Sequence, residues 1–113
     1  MIDVGYITYK ENKYPVRISY KVIKALKAET GKNIEDVFGG DGGLDFELFE
    51  TVLYHSLKVG AWYDKVEFEF DREDIEDMLD AELKSITSQL IALIPQFFKK
   101  EDTPEVKKKI QKK

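Results

Sequence analysis

Two runs of alternating apolar and polar positions open the chain, and both predict strands. Ile2, Val4 and Tyr6 share one face of residues 2–9. After the polar link Lys10-Glu11-Asn12-Lys13, the residues Tyr14, Val16, Ile18 and Tyr20 alternate again. Two period-2 runs about a short polar link predict a β-hairpin. Pro15 has no donor N–H, so it fits an edge strand or the start of the second one. At Ser19 the period becomes helical. Val22, Ile23 and Leu26 form the apolar side and Lys21, Lys24 and Lys27 the wet side; Ser19 is placed to cap the first turn and Thr30-Gly31 to end the helix.

Asn33, with Asp36 three residues on, predicts a second cap opening a single turn through Val37 and Phe38. The glycine-rich run over 39–43 predicts a flexible loop; it lacks the Lys-Ser or Lys-Thr of a phosphate-binding loop and is no nucleotide site. Asp45 caps the next helix, whose apolar set Phe46, Phe49, Val52, Leu53 and Leu57 runs to a predicted end at Gly60. Trp62, Val66, Phe68 and Phe70 then fall at even spacing, with Glu67 and Glu69 between the last three. The preferred reading is a third short strand near 65–70 that joins the hairpin, and a loop is the alternative. Asp71, with Asp74 at the third helical position, caps a helix carrying Ile75, Met78 and Leu79. A last helix starting between Asp80 and Glu82 carries Leu83, Ile86, Leu90, Leu93, Ile94 and Phe97, with Pro95 kinking or ending it. The fold class expected is α+β, mainly α: an N-terminal hairpin packed against four or so helices.

Composition adds scale and narrows the chemistry. The chain has 113 residues, 42% of them hydrophobic, enough for one small core. It has no Cys and one His, so neither a disulfide framework nor a thiolate metal site can form. His55 has no second His and no Ser or Cys nucleophile motif beside it; it reads as a half-exposed helix residue, not a ligand or base. No apolar run approaches the roughly 18 to 20 residues of a membrane span, and no signal peptide is expected at the N-terminus. The reading is thus of a non-enzymatic cytoplasmic protein with no catalytic, metal or cofactor residue, no small-molecule substrate and no membrane partner.

The net charge of −4 is unevenly distributed. Residues 64–82 hold ten acids against Lys65 and Arg72, a balance of −8, while residues 99–113 hold seven Lys against Glu101, Asp102 and Glu105, a balance of +4. Much of the acidic cluster falls in a helix's first turn, where the helix dipole favours it. These balances predict one globular domain over 1–98 and a basic flexible tail over 99–113. They also argue against nucleic acid as a partner, since that affinity comes mostly from neutralising phosphates. The one basic helix, near 19–30, lacks the partner helix of a helix-turn-helix reader.

The last apolar stripe, with Leu90, Ile91, Leu93 and Ile94 nearly continuous, is wider than one small core usually needs on one side. It makes a partner interface or self-association plausible, and Phe97 and Phe98 beyond Pro95 are expected to be exposed unless something covers them.

The order of these pieces resembles the tail assembly chaperones of long-tailed bacteriophages and gene transfer agents. The resemblance is carried by Tyr14-Pro15-Val16-Arg17-Ile18-Ser19-Tyr20 after the opening strand, by Ile23-Lys24-Ala25-Leu26-Lys27-Ala28-Glu29-Thr30-Gly31-Lys32-Asn33, by Phe49-Glu50-Thr51-Val52-Leu53-Tyr54-His55-Ser56-Leu57, and by the acidic helix Phe70-Asp71-Arg72-Glu73-Asp74-Ile75-Glu76-Asp77-Met78-Leu79-Asp80. It spans roughly residues 2 to 98. It implies a non-structural morphogenetic protein in the bacterial cytoplasm that keeps a tape measure protein soluble, recruits tail tube subunits and is absent from the mature virion. A structural or adaptor component retained in the particle is the alternative. Many family members also exist in a longer form made by ribosomal slippage, for which Lys107-Lys108-Lys109 is the candidate site. The role requires exposed apolar surface on a strongly charged body. The candidate partner-binding residues are Leu90, Ile91, Ile94, Phe97 and Phe98, with Trp62 and Tyr63 as second choices; none is carried over from a family motif.

Overall fold

The computed structural model describes residues 4–38 and 43–97. Residues 39–42 of the glycine loop predicted over 39–43, Phe98 and the basic tail lie outside the described residues. The order is β1 (Gly5–Tyr9), β2 (Asn12–Val16), α1 (Tyr20–Thr30), α2 (Glu35–Phe38), α3 (Phe46–Asp64) and α4 (Arg72–Phe97). This is the mainly helical α+β architecture expected, a two-stranded antiparallel hairpin packed against four helices. α4 is two helices joined at Glu82, whose φ of −141° and ψ of 51° break the helical path. The break falls where a new helix was expected to begin. The helix runs through Pro95 to Phe97.

Gly5 pairs with Val16 and Tyr9 with Asn12, which leaves Lys10 and Glu11 as a two-residue turn. Both take positive φ, 50° and 67°, the backbone that lets so short a turn follow the twist of its strands. The inward face is one residue out of step with the apolar count over 2–9: Gly5 and Ile7 are buried and Tyr6 is exposed. Gly5 is the reason. A Cβ there would stand 2.7 Å from Leu93 Cδ2, so α4 closes onto the strand over a residue that apolar patterning does not count.

The third strand is not formed; residues 66–71 are irregular. Both edges of the hairpin are partly taken by other groups. The Gln89 side chain on α4 accepts from Thr8 N–H at 2.7 Å and donates to Thr8 C=O at 3.0 Å, standing in for a neighbouring strand. Beyond β2, Arg17 N–H donates to Ser56 C=O on α3 at 3.0 Å. Phe68 and Phe70 are held by rings instead: Tyr14 and Phe70 meet edge-on at 5.1 Å, and Tyr54 and Phe68 at 5.5 Å.

The caps explain most helix boundaries. Asp45 accepts from Glu47 N–H and Leu48 N–H. Asp71 and Asp74 bond reciprocally, each carboxylate taking the other's backbone N–H at 2.8 to 2.9 Å. Asp36 reaches back to Asn33 N–H at 2.8 Å. Ser19 occupies the cap position of α1 but caps with its carbonyl only, its hydroxyl having no partner. Gly31, at φ 77°, ends α1 as predicted.

Gly60 does not end α3. The helix runs four residues further, to Asp64, and turns at Lys65 with φ 60°. Gly60 is instead where α3 crosses β2: a Cβ on it would lie 2.5 Å from the Pro15 carbonyl oxygen. The core gathers Ile7 and Val16 from the hairpin, Leu26 from α1, Phe49, Leu53 and Leu57 from α3, and Ile75, Met78, Ile86 and Leu90 from α4. Each such side chain contributes roughly 1.5–3 kcal/mol on burial.

Candidate partner-binding surface

The structure divides the residues expected to meet a partner. Leu90 is 0% exposed and Phe97 4%, so both are core and not surface. The two-helix break at Glu82 turns the second half of α4 along β1, where Leu90 and Phe97 face inward with Ile86. Ile91 is 40% exposed, and Ile94, three residues on, is half-buried at the margin of the core. Leu83, at the start of the same half-helix, is also exposed. At about 100° per residue, Leu83, Ile91 and Ile94 fall within an arc of roughly 80°, a narrow outward stripe beside the core-facing one.

Trp62 and Tyr63 lie on the last turn of α3, not on a strand, and are 66% and 43% exposed. Their rings meet edge-on with centroids 5.6 Å apart. Each carries a cation on its face: Lys21 Nζ sits 4.2 Å from the Trp62 ring and the Arg17 guanidinium 4.1 Å from that of Tyr63. Such pairs contribute about 0.5–1 kcal/mol at exposed sites, enough to hold the rings in place. Sequence reasoning placed Lys21 on the wet side of α1 but had no signal for its seat against an aromatic ring far along the chain.

Beside this helix end, an apolar pocket of about 280 Å³ opens between the hairpin and residues 66–70, walled by Tyr14, Leu57, Phe68 and Phe70. Asp64 and Glu67 stand in its lining, and Tyr6 O–H donates to Asp64 at 3.2 Å.

The other polar feature joins three helices. Glu29 on α1 accepts from Arg72 on α4 at 2.6 Å, and its second oxygen lies 3.1 Å from His55 Nε2 on α3. Arg72 also donates to Thr51 Oγ1 at 3.1 Å and rests against the Tyr54 ring. The single His is therefore a half-buried helix residue in an inter-helix network. Among the described residues no group of acids and His is arranged to hold a metal ion. The hydrogen bond from Arg72, then that from His55, hold the Glu29 carboxyl below the usual range. A carboxyl lowered on folding stabilises above its unfolded pKa and loses that contribution as pH falls through the folded one. Urea midpoints are accordingly expected to fall as pH drops below ~4.3. With this pair partly exposed, its share is on the order of 1 kcal/mol or less. Glu29→Gln should flatten that part of the profile; an unchanged profile would remove the network from the stability of the fold.

Among the described residues no helix is long and apolar enough to cross a membrane. Comparison with protein-family models, with curated proteins and with solved structures found no match.

Proposed function

We propose that this protein is a non-structural phage tail assembly chaperone that binds a tape measure protein and helps recruit tail tube subunits. The reading starts from the resemblance carried by residues 14–20, 23–33, 49–57 and 70–80. The observation that supports it is the outward stripe of Leu83, Ile91 and Ile94 on α4, apolar side chains left partly in water on a rigid helix. A chaperone for a long helical protein needs such a stripe, onto which the apolar face of a partner helix packs. The acidic body keeps the pair soluble once that surface is covered. No catalytic, metal or cofactor residue enters this reading.

Co-expression with a tape measure protein is expected to give a co-purifying complex. Ile91→Asp with Leu83→Asp should weaken capture roughly tenfold or more, because a carboxylate would be desolvated in the contact. Undiminished capture by a variant with native circular dichroism excludes this stripe. Stoichiometric amounts of the protein in purified mature particles would overturn the chaperone reading in favour of a retained structural or adaptor component.

A further inference from the structure

α1 and α3 leave between them an open groove of about 380 Å³, lined by Lys21, Ala25, His55, Lys58, Val59 and Trp62. Its floor is small and apolar, Ala25 from one helix and Val59 from the other. Trp62 stands at one end with its indole two-thirds exposed and Lys21 on its face. His55 stands in the lining with Glu29, already bonded to Arg72, as its partner. Glu29 is thus occupied, and among the described residues neither Lys21 nor Lys58 forms an ion pair.

Two of the groove's six lining residues, Lys21 and Lys58, are cationic and none is acidic. Residues 10–28 contain Lys10, Lys13, Arg17, Lys21, Lys24 and Lys27 against Glu11 alone, a balance of +5 in a chain of net charge −4. We propose that the α1–α3 groove docks an acidic amphipathic helix, with Trp62 as the apolar anchor and Lys21 and Lys58 as charge partners. Two helical walls over an apolar floor accept a third helix by side-chain interdigitation. A large aromatic side chain, placed where a partner can desolvate it, is the usual energetic centre of such a contact. The Lys ammoniums neutralise acids on the flanks of the incoming helix and speed its encounter. A polynucleotide could also stack on Trp62, but its phosphates would meet the −8 of residues 64–82 on the same small body. The inference stands apart from the chaperone reading, whose surface is the outer stripe of α4.

Trp62 is the only Trp in the chain, so its emission reports on this groove alone. The probes are a synthetic helix of about 18 residues with Leu at three- and four-residue spacing and Glu and Ala between, the same peptide with Lys for Glu, and oligodeoxythymidine. The acidic peptide is expected to shift or quench Trp62 emission saturably, with affinity at least about tenfold lower for the Lys21→Glu/Lys58→Glu variant and lower at high salt. Both substituted positions are exposed, and circular dichroism checks the fold of the variant. Trp62→Phe, read by anisotropy of the labelled peptide, should also weaken binding. No saturable change, equal binding of the lysine peptide, or tighter binding of oligodeoxythymidine would each overturn the proposal. None of these outcomes bears on the α4 stripe.

Discussion

Leu90→Asp is expected to unfold the protein. Leu90 is fully buried beside Ile86 on the half of α4 that lies against the hairpin. Replacing it removes a core side chain, which alone costs about 2–5 kcal/mol. It also places a carboxylate in the apolar core, adding several kcal/mol, or forces that group to take up a proton. The sum approaches the whole stability of a domain this small, on the order of 5–15 kcal/mol. Circular dichroism and urea denaturation at neutral pH should show a largely unfolded chain. A cooperative transition near that of the wild type would mean that Leu90 is not in the core. The substitution is thus a test of the fold, and binding must be probed at Ile91, one residue on, which is 40% exposed and should tolerate Asp.

A methyl group at Gly60 should cost more than glycine's place in a helix would suggest. In an open helix Gly→Ala gains about 1 kcal/mol. Here the new Cβ would lie 2.5 Å from the Pro15 carbonyl oxygen and 2.6 Å from Val16 Cα. Both are backbone atoms that no rotamer change can move. Either α3 and β2 must part, which exposes Val16 and Leu57, or the strand must bend against its pairing with β1. Overpacking of this kind costs about 1–3 kcal/mol for one added carbon and more for a branched side chain. Gly60→Ala is therefore expected to lower the urea midpoint, and Gly60→Val to lower it further or abolish the transition. A neutral or stabilised Gly60→Ala would show that the helix and strand are not in such close approach. Gly5→Ala is the natural control, because the atoms nearest a Cβ there belong to the Leu93 side chain and not to backbone.

The contrast between these two glycines marks the limit of sequence reading. Caps were legible because they are local: Asp45, Asp71 with Asp74 and Gly31 act within a few residues of themselves, and each was found where its residue type put it. Gly60 shares its residue type with a helix stop, and nothing within a few residues shows that its missing side chain makes room for β2. The same gap left Trp62 and Tyr63 beyond the expected end of α3, when they form its last turn, and shifted the inward face of β1 by one residue at Gly5.

The candidate surface was legible only in part. Leu90, Ile91, Leu93 and Ile94 are consecutive or nearly so, and hydropathy cannot say which of them faces the hairpin. The bend at Glu82 sets that angle, placing Leu90 inside and Ile91 outside. The cations of α1 were recognisable as a wet face, but only the packing of α1 on α3 seats Lys21 against Trp62.

By itself, then, the order of residues determined the fold class, the helix starts, the break within α4 and the acidic character of its first half, all products of short-range periodicity and capping. The tertiary structure decided which apolar residues remain at the surface, why Gly60 must be small, and that Phe68 and Phe70 pack by their rings without joining a sheet. Those outcomes depend on contacts between segments far apart in the chain, and no local pattern encodes which backbone will come to lie against which.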